Sequence, residues 1–355
     1  MQNTPPSHQA SQLESLSNAI GVSGEEDEVR QLLIDAVRER ADELLVDALG
    51  NLIVYQRGSS QPDYTVMIAA HMDEVGLMVT AVESNGLLQF TNVGGIDARI
   101  LPGLRVKVGA DRKHGVVLWK PIHMGRDMKT VEMDSLRIDV GATDKKAAQL
   151  GERIAFDAEF AMLSDTVARG KALDDRVGCS LLVDILAGGP YPVTVAAAFT
   201  VQEEIGLRGA TVAARRIKPD AAIVLEGTPA FDVPDPGYEA AAGDLPTNPA
   251  TRLGAGVVLT LADSSMITDP RVMRFLRETA EAQGIAYQLK TVAGGGTDAG
   301  AIHTAGAGTP TMTLSVPCRY IHSPSALLDL GDYDCALRLA QAALRSMDAS
   351  TFRRD

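Results

Sequence analysis

In YTVMIAAHMDEV, residues 64–75, an unbroken apolar run ends in a histidine and two carboxylates, and this pattern is the strongest indication of the fold. Two later runs end in the same way: VTVAAAFTV at 193–201 precedes Glu203–Glu204, and AAIVL at 221–225 precedes Glu226. Short apolar runs of this kind are typical of parallel strands that are buried on both faces. Ligands of open α/β sheets bind at the carboxyl ends of such strands. The sequence therefore predicts an α/β fold with a polar site at that edge of the sheet.

A metal site is the chemistry that these residue types favour. The candidate donors are His71, Asp174, Glu203, Glu204, Glu226 and His322. The chain has no His-Glu-x-x-His helix and no cysteine pair at zinc-finger spacing. Donors that come from distant segments suit a catalytic site with open coordination positions. Two histidines and several carboxylates suffice for two ions, which a shared carboxylate holds about 3.5–4 Å apart.

Each cluster also has a plainer interpretation. A histidine at the end of a strand is often a hydrogen-bonded surface residue. Asp174–Asp175, before an apolar helix, is compatible with an N-cap and first-turn charge. Glu203–Glu204 is compatible with a solvated turn. The coincidence of three clusters at strand ends favours the metal site over these separate interpretations.

Six longer motifs span nearly the whole chain. They are AAHMDEVGLMV at 69–79, GGIDARILPGLRV at 94–106, GKALDDRVGC at 170–179, VQEEIGLRGA at 201–210, GGGTDAGAIH at 294–303 and CRYIHSP at 318–324. In content and order, these motifs resemble those of the tetrahedral metallo-aminopeptidases. This family includes glutamyl and deblocking aminopeptidases, and some of its members have been labelled cellulase or endoglucanase.

The resemblance implies a role for each donor. The implied ligands of two divalent ions (Zn²⁺ or Co²⁺, with Mn²⁺ possible) are His71, Asp174, Glu204, Glu226 and His322. Asp174 would bridge the ions, and Glu203 would be the general base. Asp73 would hydrogen-bond the far nitrogen of His71 and fix its tautomer. The peptide bond between Asp174 and the next aspartate is expected to be cis.

Glu226 departs from the family, which usually has aspartate at this position. A glutamate is one methylene longer, so its carboxylate must fold back or the ion must shift. Asp232 and Asp235 lie nearby and are alternative donors, although they fall in a proline-rich loop. The loop, residues 228–254, is predicted to be long, with a lid or a plain surface excursion as its two interpretations.

Two domains are predicted, one inserted into the other. Residues 1–75 and 162–355 are expected to form a three-layer α/β/α catalytic domain like that of the zinc exopeptidases, and residues 76–161 a small β-rich dimerisation domain. The insert contains short strand-like pieces separated by turns, with one short helical pattern near 144–150. Ser23 and Glu26 resemble a capping box at a helix start.

Composition excludes several classes of protein. The 355 residues carry a net charge of −13, which argues against binding to nucleic acid. Three scattered cysteines predict no disulfide framework. The chain begins without a signal-peptide pattern and contains no apolar run long enough for a membrane span. We expect a cytoplasmic protein that acts on peptides, and the resemblance implies dimers assembled into a tetrahedral dodecamer.

The predicted function is an aminopeptidase that removes N-terminal residues from peptides with two metal ions. A metal-dependent assembly without peptidase activity is the alternative, since the change at Glu226 affects one ion. A glycoside hydrolase is a weaker alternative, because the chain has one tryptophan and 4% aromatic residues in all. The preferred N-terminal residue is not readable from the sequence.

Overall fold

The computed structural model describes residues 7–119, 123, 132–233, 251–291 and 295–353. Its large sheet has eleven strands: β1 (Glu43–Val46), β2 (Leu52–Gln56), β3 (Gln61–His71), β10 (Ala161–Met162), β11 (Val167–Gly170), β12 (Val193–Thr200), β13 (Ala221–Pro229), β14 (Val257–Thr260), β15 (Tyr287–Lys290), β16 (Thr311–Arg319) and β17 (Ala326–Asp329). The main strand order is β1-β2-β12-β3-β13-β16-β17-β11-β10, and β14 pairs with both β15 and β16.

Three predicted strands lie side by side at the centre of this sheet. β3 pairs in parallel with β12 on one side and with β13 on the other, and β13 pairs in parallel with β16. All eight residues of β12 are buried. The prediction of buried parallel strands is therefore confirmed, and their carboxyl ends meet at one edge.

Helices cover both faces of the sheet. They are α1 (His8–Asn18), α2 (Asp27–Val37), α3 (Leu173–Ala187), α4 (Arg208–Ile217), α5 (Pro270–Ala282), α6 (Asp298–Ile302) and α7 (Leu330–Ser346). Alternate residues of β3 point to opposite faces. Ile68 lies in the core shared with α1, α2, α3, α5 and α7, and Met67 lies in the core shared with α4 and α6. The predicted three-layer α/β/α architecture is confirmed.

A second, smaller body is a closed six-stranded barrel. Its strands are β4 (Gly76–Val82), β5 (Leu88–Val93), β6 (Arg105–Val108), β7 (Lys113–Val117), β8 (Ile138–Asp139) and β9 (Arg153–Phe156), in the order β4-β5-β8-β7-β6-β9. They enclose an apolar core of their own. The barrel strands lie inside the predicted insert 76–161, whereas β10 belongs to the large sheet. The exact domain division and the dimerisation role remain predictions.

Several local predictions were wrong. Residues 144–150 form bends and turns rather than a helix. Glu26, not Ser23, precedes α2, and its side chain makes no capping hydrogen bond.

Most of the predicted loop, residues 234–250 with Asp235, lies outside the described residues. Among the helices that the structure describes, none is long and apolar enough to cross a bilayer.

Candidate metal centre

The sheet edge collects the predicted donors from five segments. His71 is the last residue of β3, Glu226 lies in β13, and Glu203–Glu204 follow β12. His322 follows β16, and Asp174 lies at the start of α3. Asp174 and the next aspartate have non-helical backbone angles, so the regular helix begins after them. The peptide bond between these two aspartates is cis, as expected.

Asp174 lies between the two histidines. Its Oδ1 is 3.4 Å from Nε2 of His71, and its Oδ2 is 3.4 Å from Nε2 of His322. Each histidine faces one further carboxylate: Oε1 of Glu226 lies 3.4 Å from His71, and Oε1 of Glu204 lies 3.3 Å from His322. The five predicted ligands thus form two groups that share Asp174, as a pair of ions with one bridging carboxylate requires.

Asp175 is a competing donor on the His71 side. Its carboxylate is close enough to His71 and Glu226 to form a metal-binding group with them. However, both of its oxygens already accept hydrogen bonds, from the backbone N–H groups of His71 at 3.1 Å and Gly178 at 2.9 Å. In contrast, Asp174 Oδ1 and Glu226 Oε2 are buried and accept no hydrogen bond from the described residues. Buried polar atoms are normally paired, so these two oxygens fit a cation better than those of Asp175.

Both histidines are oriented by a backbone carbonyl on the far side of the ring. Nδ1 of His71 lies 3.0 Å from the carbonyl oxygen of Asp73 and 3.4 Å from its carboxylate. Nδ1 of His322 lies 2.8 Å from the carbonyl oxygen of Gly95, which belongs to the barrel segment. A proton on each Nδ1 leaves each Nε2 free as a ligand. Sequence reasoning missed Gly95, because every residue has a backbone carbonyl and the residue type does not show which one accepts this hydrogen bond.

The Asp73 carboxylate holds the turn that carries the glutamates. It accepts hydrogen bonds from the backbone N–H groups of Glu203 at 2.9 Å and Glu204 at 3.2 Å. It also accepts a 2.6 Å bond from the Ser23 hydroxyl, which is the role that this serine has instead of capping a helix. Gly206 has φ +119°, a left-handed value that suits glycine and lets the chain turn after the glutamates.

Glu203 is placed differently from the other carboxylates. Its Oε2 is 4.0 Å from Nε2 of His71, farther than the oxygens of Asp174 and Glu226. Its side chain is 10% exposed and lines the cavity in front of the centre. The structure thus puts this carboxylate near His71, and it belongs to neither of the groups of residues that could hold an ion.

The centre has an excess of negative charge. Burial raises the pKa of Glu226 and Glu203 well above the ordinary value, and neighbouring carboxylates add to this. Burial alone would lower the pKa of both histidines, but the carboxylates raise the pKa of His71 well above its usual range and that of His322 to about 11. Burial opposes ionisation of Asp174, yet the two histidines lower its pKa. Protons or divalent cations must balance these carboxylates.

Imidazole and carboxylate donors suit zinc, cobalt and manganese alike. The donor set therefore fits divalent ions without selecting one. The alternative donor Asp232 is occupied, since Arg319 gives its carboxylate hydrogen bonds of 2.8 and 2.7 Å and the backbone of Leu253 gives a third. Glu226, despite its extra methylene, reaches the centre from its strand.

The centre opens into a cavity of about 750 Å³. Besides the donors, its lining includes Thr228, Phe231, Lys290 and Thr297. Thr297 caps α6 by accepting a hydrogen bond from the backbone N–H of Ala299, and Gly295, Gly296 and Thr297 of the glycine-rich motif line the cavity. Sequence reasoning missed Lys290, because it is the last residue of a four-residue strand, which is too short to show a clear pattern.

Comparisons with known proteins agree on one family. A model of the M42 glutamyl aminopeptidases matches residues 50–339. A putative aminopeptidase of Acetivibrio thermocellus is 36% identical over 340 residues, which cover 94% of this chain and 97% of that protein. The lysyl aminopeptidase of Pyrococcus furiosus is 32% identical, with coverages of 94% and 95%. The glutamyl aminopeptidase of Lactococcus lactis is 30% identical, with coverages of 95% and 96%.

Solved structures give the same result. A TET aminopeptidase from a marine sediment archaeon of the Thaumarchaeota superposes with a TM-score of 0.89 at 35% identity, covering 97% of this chain and 98% of that one. The TET1 peptidase of Pyrococcus horikoshii, which can assemble into a tetrahedron or a large octahedral shell, gives 0.82 at 31%, with coverages of 96% and 100%. A Thermotoga maritima protein described as an endoglucanase gives 0.76 at 33%, with coverages of 94% and 96%. The chain therefore belongs to the M42 glutamyl aminopeptidase family and is a metallo-aminopeptidase.

Proposed function

We propose that this protein removes N-terminal residues from peptides with two divalent ions, Zn²⁺ or Co²⁺, with Mn²⁺ as a further candidate. The observation that carries the proposal is the position of Asp174, whose two oxygens each lie 3.4 Å from a different histidine. His71 and Glu226 would complete one site, and His322 and Glu204 the other. Ions bound there would lower the pKa of water to about 7 and polarise the scissile carbonyl.

Glu203 is proposed as the general base. Its side chain lines the cavity, and its Oε2 lies 4.0 Å from Nε2 of His71. Burial, together with the charges of Asp298 and Glu204, raises its pKa well above the ordinary glutamate value. A carboxylate with a raised pKa would accept a proton from the attacking water and return it to the leaving amine. Asp73 keeps Glu203 in place through its backbone N–H.

A matched pair of variants tests these roles. Glu203→Gln should lose turnover of aminoacyl-p-nitroanilides by at least about 100-fold while it keeps two ions per chain. Glu204→Gln, one residue away and identical in chemistry, should lose metal as well as activity. Metal content is measured by mass spectrometry of dialysed protein. Loss of metal from the Glu203 variant would make that residue a ligand and overturn its assignment as the base.

A homo-oligomer, and specifically a dodecamer, is also proposed. The support is the similarity to the Pyrococcus horikoshii peptidase, together with apolar side chains on the barrel segment. Val116, Leu118 and Trp119 are 44%, 37% and 64% exposed in the single chain. Light scattering should give about twelve times the chain mass of 37.5 kDa, and a monomer would refute this. A cytoplasmic location stays a prediction from the sequence.

The alternatives have less support. An assembly without activity would have no use for a cavity-facing Glu203 that stands apart from the two ligand groups. A glycoside hydrolase uses two carboxylates that flank a sugar ring. Here the cavity's carboxylates are clustered around the two histidines, and Phe231 is the aromatic residue in the described lining.

A further inference from the structure

A buried lysine faces the cavity without a full set of partners. Lys290 is 6% exposed and lines the cavity wall. Its ammonium group donates a 2.9 Å hydrogen bond to the hydroxyl of Thr228. A lysine ammonium has three N–H groups to place, and a buried charge normally needs an opposite charge beside it. Among the residues that the structure describes, no carboxylate forms an ion pair with Lys290.

Among the described residues, Lys171 is the other strongly buried lysine, and its ammonium group has a full set of partners. It is 2% exposed, and its ammonium group donates to both oxygens of Glu74 at 2.7 and 2.8 Å and to the carbonyl of Ala19 at 2.7 Å. All three of its N–H groups are used, and it does not line the cavity. The comparison indicates that Lys290 has donor capacity left for a molecule that enters the cavity.

The position of Lys290 suits the first side chain of a bound peptide. Its partner Thr228 lies two residues after Glu226 on β13, so the two side chains are on the same face of the strand. Two residues of a strand span about 7 Å. The Lys290 ammonium group, hydrogen-bonded to Thr228, therefore lies on the face of β13 that carries the proposed ligand Glu226, and both side chains line the same cavity. The apolar Pro229 and Phe231 line the wall nearby.

We propose that Lys290 selects peptides whose N-terminal residue carries a carboxylate, glutamate or aspartate, by pairing its ammonium group with that side chain. This inference rests on the proposed aminopeptidase function. Family membership does not supply it, because relatives at similar identity include both a lysyl and a glutamyl aminopeptidase. The backbone fixes the lysine, since β15 pairs in parallel with β14 and the carbonyl of Lys290 accepts a 2.9 Å bond from Leu261.

Lys290 has a competing role as a counter-charge for the cluster of carboxylates. Glu226, Asp263 and Asp174 all interact with it electrostatically. A lysine with only that role would support metal binding and folding but would not distinguish a glutamate side chain from the isosteric, neutral glutamine. The comparison of these two substrates therefore separates the two roles.

The experiment measures kcat/KM of the metal-loaded protein on Glu-, Gln-, Asp-, Asn-, Lys- and Ala-p-nitroanilide. The wild type should favour Glu over Gln by at least about tenfold, the value of one hydrogen bond to a charged group. In Lys290→Met the Glu/Gln ratio should fall to about 1. The ratio is taken within one preparation, so a general loss of activity cancels. Lys145→Met, at an exposed lysine, is the control and should keep the wild-type ratio.

A second measurement needs no variant and covers the case in which Lys290→Met does not fold. Free L-glutamate should inhibit the wild type on Ala-p-nitroanilide at a concentration at least about tenfold lower than L-glutamine does. Equal Glu/Gln ratios in the wild type and a folded Lys290→Met, or a wild type that does not prefer Glu, would overturn the role of Lys290. Absence of cleavage of every substrate would instead overturn the aminopeptidase function itself.

Discussion

Replacing Glu74 with glutamine removes the negative charge that two buried cations share. Glu74 is 2% exposed and accepts hydrogen bonds from Lys171 at 2.7 and 2.8 Å, from Arg176 at 3.3 Å and from the backbone of Gly21 at 3.0 Å. Burial lowers the pKa of Lys171 to about 8, and the Glu74 carboxylate opposes that effect. Burial therefore already disfavours the protonated form of Lys171, and Glu74 is the main negative charge that stabilises it.

The expected cost of Glu74→Gln is large. Removing one partner of a buried ion pair costs about 3–5 kcal/mol, because the remaining charge stays buried without compensation. At a urea m-value of about 3 kcal/mol per M, this lowers the unfolding midpoint by about 1–1.7 M. Arg176 is less affected, since it also donates to the carbonyl oxygens of Met72, Leu16 and Ala19.

The penalty should depend on pH with a definite sign. Without the carboxylate, the pKa of Lys171 in the folded protein falls below about 8, while the unfolded value stays near 10.5. The folded variant then releases this proton at a lower pH than the folded wild type does. Its stability therefore begins to recover earlier as the pH rises, and the difference between the two proteins should be larger at pH 6 than at pH 9.

Urea unfolding followed by fluorescence measures the effect, with a surface pair as control. Asp334→Asn removes an exposed partner of Arg338, 3.7 Å away in the same helix, and should cost no more than about 0.5 kcal/mol. A double variant with Lys171→Met should recover part of the loss, since it removes the uncompensated cation. A cost for Glu74→Gln no larger than that of Asp334→Asn, or one that grows with pH, would refute the reasoning.

Three other features of the centre can be measured. Burial alone would lower the pKa of His322, but Asp174 and Glu204 raise it to about 11. Metal binding at pH 7 should therefore release protons, and the metal affinity should increase from pH 6 to pH 8. Equal calorimetric heats of binding in buffers of different ionisation enthalpy would contradict this. Asp73→Asn places an amide against the backbone N–H groups of Glu203 and Glu204, which now donate to the carboxylate. It should weaken metal binding about 10–100-fold, measured by competition with a chelator. An unchanged metal affinity would mean that the Asp73 carboxylate is not needed. Gly178→Ala puts a methyl group into contact with the carboxylate of Asp175 and should lower the free energy of unfolding in urea by about 1–3 kcal/mol. An unchanged free energy of unfolding would show that this carboxylate is free to move.

The central strands and the donor set could be predicted because the signals are local. The apolar runs of β3 and β13 are followed directly by His71 and Glu226, and one residue separates the run at 193–201 from Glu203–Glu204. Parallel pairing places all these ends at one edge, so sequence position alone predicts that the side chains meet. His322 and Asp174 have weaker local signals, and the family motifs identified them.

The features that could not be predicted depend on tertiary contacts. The strands β11, β14, β15 and β17 have four residues each, too few for a periodic pattern, and they exist because neighbouring strands pair with them. Ser23 looked like a helix cap, but its hydroxyl is used by Asp73, fifty residues away. The 144–150 stretch, DKKAAQL, consists of residues that favour helix, yet it makes turns that pack against the barrel, where Ala147 and Ala148 are buried.

The hydrogen bond between His322 and the carbonyl of Gly95 joins positions that are 227 residues apart in the chain. During synthesis, the barrel and four of the five proposed ligands leave the ribosome before this histidine does, because all of them precede it in the sequence. A nascent or truncated chain therefore lacks the donor of the second ion and the contact that orients it. Such a chain can already contain the barrel and the proposed ligands His71, Asp174 and Glu226, so the two proposed ion sites become complete at different stages of synthesis.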